Sequence, residues 1–92
     1  MSGDTVRLRL YIAGSSSQSR QARGNVDAML ESHAGDEAVE LDVVDLRDDP
    51  EQAVKHNILA IPTLERVEPP PVRRVIGSLD DADDVWEIVT DV

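Results

Sequence analysis

Cysteine and phenylalanine are both absent from the 92 residues, Tyr11 and Trp86 are the only aromatics apart from histidine, and eight of the nine basic side chains are arginine, with Lys55 the single lysine. Without cysteine there is no disulfide, no thiolate nucleophile and no sulfur-ligated metal, which suits a reducing compartment and leaves stability to packing. With so few rings, branched aliphatics must fill the core. No apolar run approaches the roughly 20 residues needed to cross a bilayer as a helix, and Met1 to Thr5 lacks the basic-then-apolar pattern of a secretion signal, so a soluble cytoplasmic protein is expected. Basic residues are scarce against acidic ones, nine to nineteen, for a formal charge of −10 and a pI near 4.3. A field of that sign repels phosphate backbones and anionic lipids, which argues against nucleic-acid and membrane-surface partners. The acid excess and the preference for arginine resemble the surfaces of salt-adapted proteins. Glycine-rich phosphate loops and dinucleotide fingerprints are also missing. The length fits one domain, residues 1–92, with 1–4 as a flexible terminus.

What is present alternates. Val6, Leu8, Leu10 and Ile12 face one way and Arg7, Arg9 and Tyr11 the other, predicting a strand. Gly14 and the serine run 15–17 break it, and a hydroxyl there can cap a helix in which Ala22, Val26, Met29, Leu30 and His33 recur at helical spacing, ending near Gly35. Gly24 inside it either serves close packing or weakens the helix by about 1 kcal/mol relative to alanine. Val39, Leu41 and Val43, then Val44 and Leu46, suggest a second strand covered on both faces. Strand, helix, strand favours parallel pairing. Asp48 or Asp49 can cap a short helix with Pro50 in its first position, running to about His56. Strands are expected over Ile61–Val67 and Val72–Gly77, joined by the stiff Glu68-Pro69-Pro70-Pro71 link. Asp80 would cap a last helix with Ala82, Val85, Trp86 and Val89 buried, its acidic first turn favoured by the helix dipole. The order βαβ-α-ββα gives an α/β, thioredoxin-like domain, in which the proline of Ile61-Pro62-Thr63 is usually cis.

Chemistry is sparse. Thioredoxin-like enzymes place a reactive cysteine after the first strand, where this chain has Gly14-Ser15-Ser16-Ser17-Gln18-Ser19, so redox catalysis is excluded. Serine could act as a nucleophile only with an oriented histidine, and neither His33 nor His56 lies in such a pattern; capping serines and surface histidines are the expectation. No metal-ligand spacing is evident, and the acidic stretch 80–84 lacks the loop of a calcium site, so no cofactor is expected. Arg73-Arg74 is the one adjacent basic pair, suited to an acidic partner surface or to the solvated side of a strand. Four of the five prolines fall between Pro62 and Pro71. They form a rigid connector or, because X-Pro bonds isomerise slowly, a slow switch.

Leu10-Tyr11-Ile12-Ala13-Gly14, Val44-Asp45-Leu46, Asp49-Pro50, Ile58-Leu59-Ala60-Ile61-Pro62-Thr63-Leu64 and Pro69-Pro70-Pro71-Val72-Arg73-Arg74-Val75-Ile76-Gly77 together closely resemble the KaiB family over most of the chain. The resemblance implies a non-enzymatic regulator that binds the hexameric ATPase KaiC and modulates its phosphorylation cycle, in a circadian clock or in stress signalling. It also implies fold switching, between an oligomeric ground state, a dimer or tetramer with a rearranged second half, and a thioredoxin-like monomer that engages the ATPase. On that reading Asp45, Lys55, Arg73 and Arg74 are the partner contacts, and Pro62, Pro69, Pro70, Pro71 and Gly77 lie where the switch occurs. Asp48 stands where cyanobacterial relatives carry lysine, which alters the usual partner surface. The alternative is a cysteine-free thioredoxin-like module that binds glutathione or a peptide through Ser15 or Ser17 and the backbone beside Pro62.

Overall fold

The alternation along Val6–Ile12 is realised as strand β1, whose even-numbered residues enter the main core while Tyr11 enters a second cluster on the opposite face. The structure, a computed structural model, describes residues 5–33, 35, 38–77 and 79–91; the expected flexible segment 1–4 lies outside them. After β1 come α1 (Ser17–Ser32), β2 (Val39–Asp45), α2 (Glu51–Lys55), β3 (Thr63–Glu68), β4 (Arg73–Ile76) and α3 (Ala82–Thr90), the expected order. The sheet order is β2-β1-β3-β4. Strand β1 runs parallel to β2, pairing Val6 with Val39 through Ile12 with Asp45, and antiparallel to β3, while β4 returns antiparallel to β3. This is the thioredoxin-like α/β arrangement.

Helices α1 and α3 contribute Ala22, Val26, Met29, Val85 and Val89 to the main cluster against Val6, Leu8, Leu10, Ile12 and Leu64. Each fully buried aliphatic side chain contributes about 1.5–3 kcal/mol of transfer free energy. Helix α2 covers only the far end of the other face, where Tyr11, Leu46 and Ile58 are buried with Val44 and Ala53 beside them. The Ile61–Pro62 bond is cis, as the position implied, and so are Glu68–Pro69 and Pro70–Pro71.

Several local expectations hold and others shift by a residue. Ser16 caps α1, its Oγ accepting from the Ser19 amide at 3.2 Å, and Ser19 is itself buried with its Oγ accepting from the Ala13 amide at 3.0 Å. Nothing lies within 4 Å of where a Cβ on Gly24 would sit, so no packing demand explains that glycine. Pro50 occupies the N-cap of α2 rather than its first helical position, with no side-chain cap. The Gln52 amide donates to the Asp49 carbonyl, a tighter step than the α-helical one, so the helix begins later. Asp81, not Asp80, caps α3 by accepting from the Asp84 amide at 3.1 Å, because Leu79, buried at φ +60°, turns the chain inward before the helix starts. Strand β2 touches both clusters, but as an edge strand it has no fully buried residue, so it is half-covered rather than enclosed.

Candidate functional site

Strand alternation decides which proposed contacts can act together. Arg73 and Arg74, adjacent in sequence, point to opposite faces of β4. Arg73 lies on the α3 side, 3.6 Å from the Asp91 carboxylate. Arg74 lies on the α2 side, where its Nε donates to Glu65 at 2.8 Å and its two terminal nitrogens donate to the carbonyls of Asn57 and His56. Those carbonyls follow the end of α2, whose residual negative charge a guanidinium satisfies. Arg74 therefore fastens α2 to the sheet. Glu65 holds the other end of this arrangement. It is buried, accepts from the Tyr11 hydroxyl at 3.3 Å and lies 3.8 Å from Arg9, which in turn donates to the Tyr11 oxygen. Burial pushes the Tyr11 hydroxyl above its ordinary pKa, and that hydrogen bond pushes Arg9 up as well.

Lys55 closes α2 and is exposed, flanked by Val54 at 85% exposure and by Leu59, in the following loop, at 88%. Ile61 adds a partly exposed side chain to the same loop. Val54 and Leu59 are the two most exposed large apolar side chains among the described residues. Asp45 sits at the end of β2, on the opposite edge of the sheet from β4. Its Oδ1 accepts from the amides of Gly14 at 2.8 Å and Arg47 at 2.9 Å, fixing the β1–α1 loop. Gly14 has φ +62°, and a Cβ there would collide with the Arg47 side chain that lies across it.

The two amides, that of Arg47 first, hold the Asp45 carboxyl below its ordinary pKa. A depressed folded-state value contributes stability above the ordinary carboxylate range, near pH 4, and that contribution is lost as pH falls through the folded value. Asp45→Asn keeps an acceptor but removes the titration, so thermal unfolding followed from neutral to acid pH should give a shallower acid-side loss than in the parent chain.

Of the residues expected to lie where the fold switches, Pro62 is buried, Pro69 half-buried, and Pro70 and Pro71 exposed. Gly77 has φ +118°, a conformation that favours glycine, and its amide donates to the Pro62 carbonyl at 3.2 Å. The Pro71 carbonyl accepts from Arg66 at 2.8 Å, and the same guanidinium reaches the carbonyls of Val89 and Asp91 at the end of α3. Arg66 and Glu65 were not singled out by the sequence reading. The available signal was two consecutive charges, Glu65-Arg66, inside a strand flanked by Leu64 and Val67.

The structure does not bring the candidate serines Ser15 and Ser17 together with His33. Ser15 and Ser17 are exposed at the start of α1, whereas His33 caps the other end, about 24 Å along a 16-residue helix. His33 is not a plain surface residue: its ring stacks on Trp86 with centroids 4.4 Å apart and planes 7° from parallel. His56 packs near Tyr11. Among the described residues no three His, Asp or Glu side chains converge to hold a metal.

The family model described as the KaiB domain matches residues 9–90. The circadian clock oscillator protein KaiB of Prochlorococcus marinus is 41% identical over 81 residues, 88% of this chain and 75% of that protein. The circadian clock protein KaiB3 of Synechocystis is 33% identical over 85 residues, 92% of this chain and 82% of its own. Among solved structures, the N-terminal domain of Synechococcus elongatus SasA superposes with a TM-score of 0.77 at 18% identity, covering 100% of this chain and 90% of that one. Mitochondrial thioredoxin 3 of Saccharomyces cerevisiae follows at 0.75 and 12%, over 98% and 81%. These two likenesses establish the thioredoxin-like fold.

Proposed function

Because this chain belongs to the KaiB family of circadian clock proteins, we propose that it is a non-enzymatic regulator that binds a KaiC-type hexameric ATPase and modulates its cycle by contact. The observation that supports a contact role most directly is the exposed aliphatic and cationic surface of α2 and its following loop, Val54, Lys55 and Leu59, on a chain with no paired nucleophile and base among its described residues. Lys55 is the direct contact in this reading. Arg74 acts by positioning α2, Asp45 by shaping the β1–α1 loop, and Arg73 belongs to the opposite face. The thioredoxin-like arrangement is the binding form. A ground-state homo-oligomer with a rearranged second half is its counterpart, and Pro62, Pro69, Pro70, Pro71 and Gly77 lie in the segment that differs.

The test is binding to the purified KaiC-type ATPase of the host with ATP present, followed for hours so that slow rearrangement is captured. Lys55→Glu and Leu59→Asp should each weaken capture by about tenfold or more, as expected for residues central to a contact. Arg73→Ala should leave it unchanged. Capture indifferent to Lys55 and Leu59 would remove α2 from the interface, and no capture at all would remove this partner. The glutathione reading is not favoured, because the family relationship points to a clock regulator instead.

A further inference from the structure

Strand β4 is an outer strand of the sheet, and among the described residues it pairs only with β3 and no other strand lies on its free side. The Gly77 amide donates inward to Pro62, so by the alternation of an antiparallel ladder the backbone groups of Ile76 and Arg74 point outward, toward the open edge. Such an edge is a template for another strand unless it is covered or blocked. Two grooves flank it. On the α3 side a groove of about 410 Å³ is lined by Arg73, Asp84, Glu87, Ile88, Thr90 and Asp91. Asp84, Glu87, Ile88 and Asp91 follow the spacing of one helical stripe, opposite the buried Val85 and Val89, and three carboxylates there face one guanidinium. On the α2 side a smaller groove of about 100 Å³ is lined by Ile58, Leu59, Thr63 and Ile76 with Asn57 and Arg74, and the Arg74 guanidinium is already spent on Glu65 and two carbonyls. Ile76 is 62% exposed.

We propose that β4 accepts an extended segment of a partner protein in which basic and aliphatic residues alternate, added to the sheet as a fifth strand. The strand period sends every second side chain to the same side, so lysine or arginine lies over the carboxylates of α3 while valine or isoleucine lies against Ile76 and Leu59. Charge decides the occupant. A second copy of this chain would bring another net −10 and another row of α3 carboxylates to the same edge, whereas a cationic strand relieves that repulsion. The site shares Leu59 with the Lys55 surface, but its α3 side, with Glu87, lies outside that surface, so a test at Glu87 reads this proposal apart from the ATPase reading.

The probe is a fluorescent peptide of about eight residues alternating lysine and valine, a length that spans the edge at about 3.3 Å per residue, compared with a peptide of the same composition in two blocks. Fluorescence anisotropy should show the alternating peptide binding about tenfold more tightly than the block peptide, since only it matches both grooves. Glu87→Lys should weaken it about fivefold or more, while Glu31→Lys, the same charge change on the exposed surface of α1, should alter it less than twofold. Ile76→Pro removes an outward amide without touching a ladder bond and should also weaken binding. Backbone amide NMR shifts should concentrate on β4 and α3. Equal affinity for the two peptides, or equal losses from the two lysine substitutions, would reduce the effect to attraction between net charges and overturn the proposal. Self-association through β4 in sedimentation experiments, abolished by Ile76→Pro, would assign the edge to a second copy and overturn it as well.

Discussion

Replacing Arg66 with alanine should lower the unfolding free energy by about 3–5 kcal/mol, combining the loss of several charge-assisted hydrogen bonds with the cavity left by a large buried side chain. Arg66 is completely buried, yet among the described residues no carboxylate pairs with it. Its guanidinium donates instead to the carbonyls of Val89 and Asp91, at the end of α3, and to that of Pro71 in the proline link. The last carbonyls of a helix have no partner within it and carry its partial negative charge, so a cation placed there answers both deficits. One side chain of β3 thereby holds two segments that follow it in the chain, the β3–β4 link and α3. A loss of that size at about 4 °C or more per kcal/mol should move the thermal midpoint down by at least about 12 °C. Hydrogen exchange should localise the first effect to Val85–Thr90 rather than to α1. Arg66→Met separates the two components. It retains most of the apolar volume and removes the donors, and because the Nε of Arg66 has no partner among the described residues, methionine should recover roughly half the loss. A cost below about 1 kcal/mol for the alanine variant would show that these carbonyls find water or one another easily, and that α3 is held by its apolar stripe alone.

Legibility differed by element for physical reasons. The period-two pattern of β1 carried both its strand character and its two faces, because a central strand meets a core on each side and its sequence records both. The stripe of α3 was equally plain, although only Val85 and Val89 of it are buried while Ala82 and Trp86, expected with them, are half-buried. Helix starts were legible as capable residues but not to the residue: Asp80 and Asp81 offer the same carboxylate, and only the inward turn at Leu79 selects between them. The edge position of β2 could not be read, since Val39–Val44 would look the same in an enclosed strand. Of the candidate contacts, the opposed directions of Arg73 and Arg74 follow from strand alternation alone, whereas the reach of Arg74 to His56 and Asn57 depends on how α2 lies over the sheet, a long-range fact with no local signature. Likewise, Asp45 carries no mark in the sequence of its bond to Gly14, 31 residues away. Charges normally sit outside, so nothing local in the sequence marks Glu65 and Arg66 as buried, although both are.

Glu65→Ala should cost about 2–4 kcal/mol, less than the Arg66 variant because the cations it strands are partly open to water, the Arg9 and Arg74 side chains being 24% and 34% exposed. The larger consequence is local. With Glu65 in place, the Arg74 guanidinium is held from one side by a carboxylate at 2.8 Å and presents its remaining donors to the carbonyls that end α2. Without it, Arg74 gains water and rotamer freedom, and a five-residue helix that cannot sustain itself loses its attachment to the sheet. Amides of residues 51–58 should exchange faster while those of α1 do not, and capture of the ATPase should weaken although Glu65 is too buried to touch a partner. A double-mutant cycle with Arg74→Ala decides the matter. If the two side chains act as one support for α2, the cycle should return a coupling of about 1 kcal/mol or more in stability, and the second substitution should add little to the loss of binding caused by the first. Additive losses would mean that Glu65 matters through Tyr11 and Arg9 on the sheet face, and that α2 is held in place by the packing of Ala53 and Ile58 against Tyr11 and Leu46.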